Sequence, residues 1–212
     1  MLIKICGIKD LKIAEFAVQQ GANYIGLVFH PASKRNVTIA QAKQIADTTR
    51  NTGGTPVAVV VDQTAAEIET ICQETGITVV QLHGTRAKQN EYLLPETLQR
   101  IFVCSVNNDG TIKDSESKGI ENLNSSRDFL LFDGLQAGSG QPFNWENFTY
   151  HHQYHHKFRW FLSGGLSPDN IRQALTQLNP TGVDVSSGVE DIQGSKDIKL
   201  IKKFIENVKN IK

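Results

Sequence analysis

The stretch Lys4-Ile5-Cys6-Gly7-Ile8 reads as a short buried strand that stops at a cysteine and turns on a glycine. Lys9-Asp10 directly after it opens an amphipathic helix. Asp10 is a capping residue type, and Leu11, Ala14, Ala17 and Val18 fall on one helical face. Gly21 supplies the stop. The segment 24–29 is then a nearly continuous apolar run, as expected of a parallel strand covered on both faces. Strand, helix and returning parallel strand form the repeat of α/β folds, and the rest of the chain is tested against that unit.

The alternation persists. Thr38 with Gln41, and Thr64 with Glu67, have capping-box spacing. They open helices whose inward positions are Ile39, Ala42, Ile45 and Ala46, and then Ile68, Ile71 and Cys72. Further strands are predicted at 56–61, 78–82, 100–106, 129–133, 158–162 and 182–185, and a fourth helix at 86–94. The polar segment 107–126 has weak periodicity and offers the place for a fifth. Ser167-Pro168-Asp169 has the chemistry of a helix start, with Ile171, Ala174, Leu175 and Leu178 on one face. Ile198, Ile201, Ile205 and Val208 mark the last helix. Eight units at about 26 residues each sit near the minimum for a βα repeat. The count predicts one (β/α)8 barrel domain over residues 1–212, the shortest such barrels running to about 200 residues. A doubly wound open sheet competes, but no strand ends in the Gly-x-Gly-x-x-Gly turn of its dinucleotide-binding form.

Composition narrows the partners. Lys and Arg total 22 and Asp and Glu total 22, so no net charge favours nucleic acid or an anionic membrane. No apolar run approaches the roughly 18 residues of a membrane span, and the N-terminus has no signal-sequence pattern. Cys6, Cys72 and Cys104 are odd in number and widely spaced, which fits a reducing cytoplasm rather than a disulfide framework or zinc motif. The sequence leaves monomer and homodimer both open.

Strand parity decides what points inward, because successive side chains face opposite sides. Ile3 and Ile5 share one face, Lys4 and Cys6 the other. Gln81 and His83 are in phase, Leu131 and Asp133 are in phase, and Asp184 alternates with Val183 and Val185. If the aliphatic partners pack on outer helices, Cys6, Gln81, His83, Asp133 and Asp184 converge on one rim, the face where barrels place active sites. Each also has an ordinary reading. Free cysteine is often plain core filler, and His83 and Asp133, each before a glycine, are turn residue types. Still, an aspartate ending four apolar residues is costly to bury without a task.

Ser163-Gly164-Gly165 follows the seventh strand and Ser186-Ser187-Gly188 the eighth. Loops after these two strands commonly bind phosphate through backbone N–H groups and a helix N-terminus. Lys34-Arg35 adds cations after the second strand, and arginine suits a carboxylate through two parallel hydrogen bonds. His151, His152, His155 and His156 have the i, i+4 spacing of zinc ligands but no accompanying carboxylate or cysteine; an exposed polar stretch is the better reading, and no metal or other cofactor is expected.

Six motifs, in order from first strand to last, resemble the phosphoribosylanthranilate isomerase family: Lys4-Ile5-Cys6-Gly7-Ile8, Ser33-Lys34-Arg35, Gln81-Leu82-His83-Gly84, residues 131–145, Leu162-Ser163-Gly164-Gly165-Leu166 and Val183-Asp184-Val185-Ser186-Ser187-Gly188-Val189-Glu190. The resemblance implies a (β/α)8 barrel performing an Amadori rearrangement of a phosphoribosyl-anthranilate in tryptophan biosynthesis. It implies Asp133 as general acid and Cys6 as general base. Arg35 would hold the anthranilate carboxylate, with Gln81, His83 and Asp184 at the substrate, and Gly164, Gly165, Ser186, Ser187 and Gly188 at its phosphate. A thiol base needs a lowered pKa, to which Lys4, one layer below, is expected to contribute. The acid needs burial to keep its proton. Ala137 and Asn144 depart from the family pattern, where glycine and aspartate are usual. The competing readings are a sugar-phosphate isomerase of histidine biosynthesis, disfavoured because that relative carries a carboxylate in place of Cys6, and a non-catalytic barrel that only binds a phosphorylated ligand.

Overall fold

The computed structural model describes residues 1–113, 119–134, 142–148 and 157–211. Eight parallel strands close into a barrel in chain order: β1 (Leu2–Cys6), β2 (Tyr24–Phe29), β3 (Thr55–Val60), β4 (Val79–Leu82), β5 (Gln99–Val106), β6 (Phe129–Gly134), β7 (Arg159–Leu162) and β8 (Gly182–Val185). Closure is through β1 and β8, where Lys4 stands in register with Asp184. The expected barrel is therefore the observed one, and the open sheet is excluded.

The helices among the described residues are α1 (Leu11–Gln20), α2 (Ile39–Asn51), α3 (Ala65–Thr75), α4 (Thr85–Gln89), α5 (Ile171–Gln177) and α6 (Ile198–Lys209). Asp10 caps α1 by accepting from the N–H groups of Lys12 and Ile13, and Gly21 ends it at φ 115°. Thr64 and Glu67 form the reciprocal capping box on α3. Thr38 makes only half of one: its hydroxyl accepts from the Gln41 N–H, but the Gln41 amide donates 2.7 Å to the Lys9 carbonyl, tying the β1–α1 loop to α2.

Two helices are shorter than their patterns predict. The α4 helix stops at Gln89 and gives way to a 3-10 turn over Glu91–Leu93. There the Asn90 side chain donates to the Arg86 carbonyl at 2.7 Å, the acceptor a continuing α-helix would keep for its main chain. Ser167-Pro168-Asp169 is a turn, and α5 begins only at Ile171. Asn170 explains this: its side chain accepts from the Ser167 N–H at 2.8 Å and donates to the Gly165 carbonyl at 2.8 Å, folding the chain back on the loop it has left. Of the polar segment 107–126, residues 114–118 lie outside the described residues, and a 3-10 turn covers Ile120–Asn122.

Parity separates two cores. Ile3, Ile5, Leu27, Val60, Leu82, Phe132, Leu162 and Val185 face the helices, while Val57, Val79, Ile101, Val103, Phe129, Leu131 and Phe161 fill the barrel. Tyr24, Phe129 and Phe161 pack ring against ring at 5.1–6.4 Å between centroids and close the bottom. Each buried aromatic of this kind contributes on the order of 2 kcal/mol from apolar burial. With its lower half filled by hydrocarbon, the barrel opens only at the carboxyl ends of the strands.

Candidate active site

Polar groups begin one layer above the aromatic floor. Lys4 is completely buried and its ammonium donates to Asp184 Oδ1 at 2.8 Å. The Ser163 hydroxyl donates to Asp184 Oδ2 at 3.4 Å. Burial alone pulls the Lys4 ammonium down, but Asp184 and the Cys6 side chain outweigh it and leave it above its ordinary value.

Over this pair lies a cavity of about 390 Å³ lined by Cys6, Arg35, Gln81, His83, Asp133, Asp184 and the Ser163–Leu166 and Ser186–Ser187 turns. Burial pushes the Asp133 carboxyl up to about 7, with the negative charge of Asp184 acting in the same direction. Near neutral pH it retains much of its proton, as an acid requires. Burial pulls His83 down to about 4, helped by Lys88 and Lys4, so its imidazole is neutral. The Gln81 Nε2 lies 3.5 Å from His83 Nδ1, while Gln81 Oε1 is buried with no hydrogen-bond partner among the described residues. An orphaned carbonyl facing a cavity is suited to accept from a ligand hydroxyl.

Two expectations are corrected and a third is narrowed. The Cys6 thiol is raised, not lowered. Lys4 and Lys196 both favour its thiolate, but burial outweighs them and Asp184 opposes them. Arg35 does line the cavity, but its fork is engaged within the chain: Nε and Nη2 donate to the two oxygens of Glu190 at 2.6 and 2.9 Å. Both Nη1 protons and the second Nη2 proton have no partner among the described residues. Gly188 does not line the cavity. A Cβ there would stand 1.9 Å from the Leu166 carbonyl oxygen, so this glycine lets the loops after β7 and β8 touch.

Gly164, Gly165, Ser186 and Ser187 line the cavity. Gly164 and Gly165 take φ of 87° and 69°, which glycine alone adopts without strain. The main-chain N–H groups of Gly164, Gly165, Ser187 and Gly188 make no hydrogen bond among the described residues, leaving a set of donors at the rim. No α-helix N-terminus joins them, because α5 starts beyond the loop; a 3-10 turn over Ser187–Val189 takes that place.

A profile of the family described as "N-(5'phosphoribosyl)anthranilate (PRA) isomerase" matches residues 3–207. The chain belongs to this family. It is 39% identical over 207 residues to the N-(5'-phosphoribosyl)anthranilate isomerase of Streptococcus mutans, covering 98% of each chain. Its fold superposes on the phosphoribosyl anthranilate isomerase of Thermotoga maritima with a TM-score of 0.80 at 33% identity, covering 100% of both. A phosphoribosyl anthranilate isomerase crystallised with reduced 1-(o-carboxyphenylamino)-1-deoxyribulose 5-phosphate aligns at a TM-score of 0.78 and 32% identity, again over 100% of both chains.

Against this isomerase background, sequence reading missed two kinds of residue. Asn170, which anchors the Gly165 carbonyl, was hidden in an apparent helix start. Lys196, whose ammonium reaches the Ser186 carbonyl at 2.8 Å and Glu190 Oε1 at 2.8 Å, sits in a polar loop with no periodicity. Burial disfavours the Glu190 carboxylate, but the hydrogen bonds from Arg35 and Lys196 prevail and hold it at about 2. The cluster His151–His156 and the departure at Ala137 lie outside the described residues. Asn144 Oδ1 accepts from the N–H groups of Glu146 and Asn147, as an aspartate there would. No helix among the described residues is long and apolar enough to cross a membrane.

Proposed function

We propose that the protein, acting as one barrel domain over residues 1–212, converts N-(5-phosphoribosyl)anthranilate to 1-(2-carboxyphenylamino)-1-deoxyribulose 5-phosphate, a step of tryptophan biosynthesis. The observation that carries the reading is the pairing, in one cavity of a family member, of a carboxyl held up to about 7 with a thiol flanked by two ammonium groups.

Asp133 gives its proton to the furanose ring oxygen. The bond from that oxygen to C1 breaks, and the nitrogen lone pair forms a C1=N iminium. Cys6, as thiolate, takes the proton from C2, and the C–H electrons form C1=C2 while the C=N pair returns to nitrogen. The resulting enolamine tautomerises to the C2 ketone. The cationic iminium favours the thiolate electrostatically at the moment it is needed, alongside Lys4 and Lys196. Gln81, His83 and Asp184 meet the sugar hydroxyls, the Nη1 edge of Arg35 meets the ring carboxylate, and the N–H groups of Gly164, Gly165 and Ser187 meet the phosphate. The free thiols of Cys6, Cys72 and Cys104 suit work in a reducing cytoplasm.

The test follows loss of substrate fluorescence with purified wild type, Cys6→Ala and Asp133→Asn. We expect turnover in the wild type and a loss of at least about a hundredfold in each variant. Near-normal turnover in either removes that residue from its role. Tight binding of the product without any wild-type turnover would establish the binding-barrel reading instead.

A further inference from the structure

Glu190 lies just beyond the 3-10 turn Ser187–Val189, and its side chain is only 4% exposed. It accepts from Arg35 Nε and Nη2 and from Lys196 Nζ, and Lys34 Nζ stands 3.5 Å away. These side chains form a wall with space on both sides. One side is the substrate cavity. The other is a second cavity of about 290 Å³, lined among others by Lys9, Lys34, Arg35 and Lys196. Arg35 lines both.

Long flexible cations beside an empty volume gain rotamer entropy by turning into it. Arg35 stands between the two cavities and Lys196 lines only the second, yet the donors of both are drawn onto Glu190. Packing restrains Arg35 on the Gly7 side, where its Cδ lies so close that a Cβ on that glycine would fall at 2.5 Å. What opposes rotation the other way is the buried carboxylate. A two-pronged arginine–carboxylate pair fixes orientation as well as distance. The same carboxylate holds the Lys196 ammonium on the Ser186 carbonyl and hydroxyl, and that hydroxyl in turn donates to the Cys6 carbonyl at 3.1 Å.

We propose that Glu190 is a positioning residue for the isomerisation: it clamps Arg35 at the wall of the substrate cavity, aiming its free Nη1 edge at the ring carboxylate, and it holds Lys196 on the Ser186 turn beside Cys6. The assignment rests on the activity proposed above, because it names what Arg35 is aimed at. Glu190 touches no reacting atom. It converts an arginine that would otherwise sample two cavities into a directed one, and the substrate carboxylate meets a donor edge already oriented.

The test compares kcat/KM for N-(5-phosphoribosyl)anthranilate and for the N-(5-phosphoribosyl)aniline analogue that lacks the ring carboxylate. Their ratio does not depend on the fraction of folded enzyme. Glu190→Gln keeps the shape and removes the charge. We expect it to lower the ratio by about tenfold to a hundredfold, the equivalent of misplacing one charged hydrogen bond. Glu190→Asp, one methylene short but still charged, recovers part of that loss. A crystal structure of Glu190→Gln shows the Arg35 guanidinium turned into the second cavity. An unchanged ratio, or an Arg35 that stays in place, overturns the proposal. If the wild type turns over neither compound, the activity reading fails, and the position of Arg35 in the Glu190→Gln crystal still decides whether the clamp exists.

Discussion

Lys4 Nζ and Asp184 Oδ1 lie 2.8 Å apart inside the barrel, their side chains 0% and 6% exposed, directly between an aromatic floor and a reactive cavity. The pair joins the first strand to the last at the closure of the barrel. Removing one partner leaves the other as an uncompensated buried charge. Lys4→Met is therefore expected to cost on the order of 3–5 kcal/mol in urea unfolding. Lys4→Met combined with Asp184→Asn recovers much of it, because the loss comes from the stranded carboxylate. Additive losses in this double-mutant cycle would show that the two side chains act independently.

The acid–base pair predicts an unusual pH profile. Asp133 is held at about 7 and Cys6 is raised above the ordinary thiol range. Catalysis needs the opposite distribution, a protonated Asp133 with a Cys6 thiolate, so the competent form is a minor one carrying a single proton on the pair. Below pH 7 both groups are protonated, and above the thiol value neither is. Lys4, Asp184, Lys196, Arg35 and Ser163 face the pair, and neutral His83 adds no ionisation in this window. The expected kcat/KM profile is a bell with its acid limb near 7 and its alkaline limb above the usual thiol range. An acid limb near 4 would place the relevant ionisation elsewhere.

The barrel was legible because its signal is repetitive: eight apolar runs, most followed by a helical pattern, tolerate an error in any one of them. Parity carried Cys6, Gln81, His83, Asp133 and Asp184 onto one rim, because an alternation of two is insensitive to where a strand begins. Side-chain interactions that bridge distant segments were not legible. The engagement of Arg35 by Glu190 spans 155 residues, and nothing in Ser33-Lys34-Arg35 announces that its fork is already taken. The direction of the Cys6 shift was equally hidden. Sequence shows that Lys4 shares its face, but not that the thiol is buried deeply enough for desolvation to outweigh the cation. The helix lost at Ser167-Pro168-Asp169 turned on one side chain, Asn170, whose bonds run backward to the glycine loop.

The same burial that readies Asp133 as an acid weakens the fold at neutral pH. Its folded pKa, about 7, lies above the 3.8 of the free side chain. For a group raised on folding, the stabilising contribution is full below the unfolded value and is lost as pH rises through the folded one. Asp133→Asn removes the ionisation. It is expected to stabilise the protein at pH 8 by up to on the order of 4 kcal/mol while changing little at pH 3.5. Urea midpoints of both proteins at the two pH values check this. A variant no more stable than wild type at pH 8 would mean that Asp133 ionises in the folded state at no cost.

Gly188 and Gly53 separate two reasons for keeping a glycine. Gly53 has φ of +94° with nothing within 4 Å of an added Cβ, so Gly53→Ala meets only backbone strain, roughly 1–2 kcal/mol of stability, and leaves the distant cavity intact. Gly188 takes no positive φ; its need is room. An added Cβ would stand 1.9 Å from the Leu166 carbonyl oxygen and 3.0 Å from Ser167 Cα, both main-chain atoms that cannot rotate away. Relief requires the 163–167 loop and the Ser187–Val189 turn to part, and these carry the N–H donors assigned to the phosphate. Gly188→Ala is therefore expected to raise KM by at least about tenfold, equivalent to roughly 1.4 kcal/mol of lost phosphate binding. Its kcat should fall less, since Cys6 and Asp133 stand on other strands. Steady-state kinetics of the two variants, each measured with a thermal melt, decide it: an unchanged KM in Gly188→Ala would place the phosphate away from these loops.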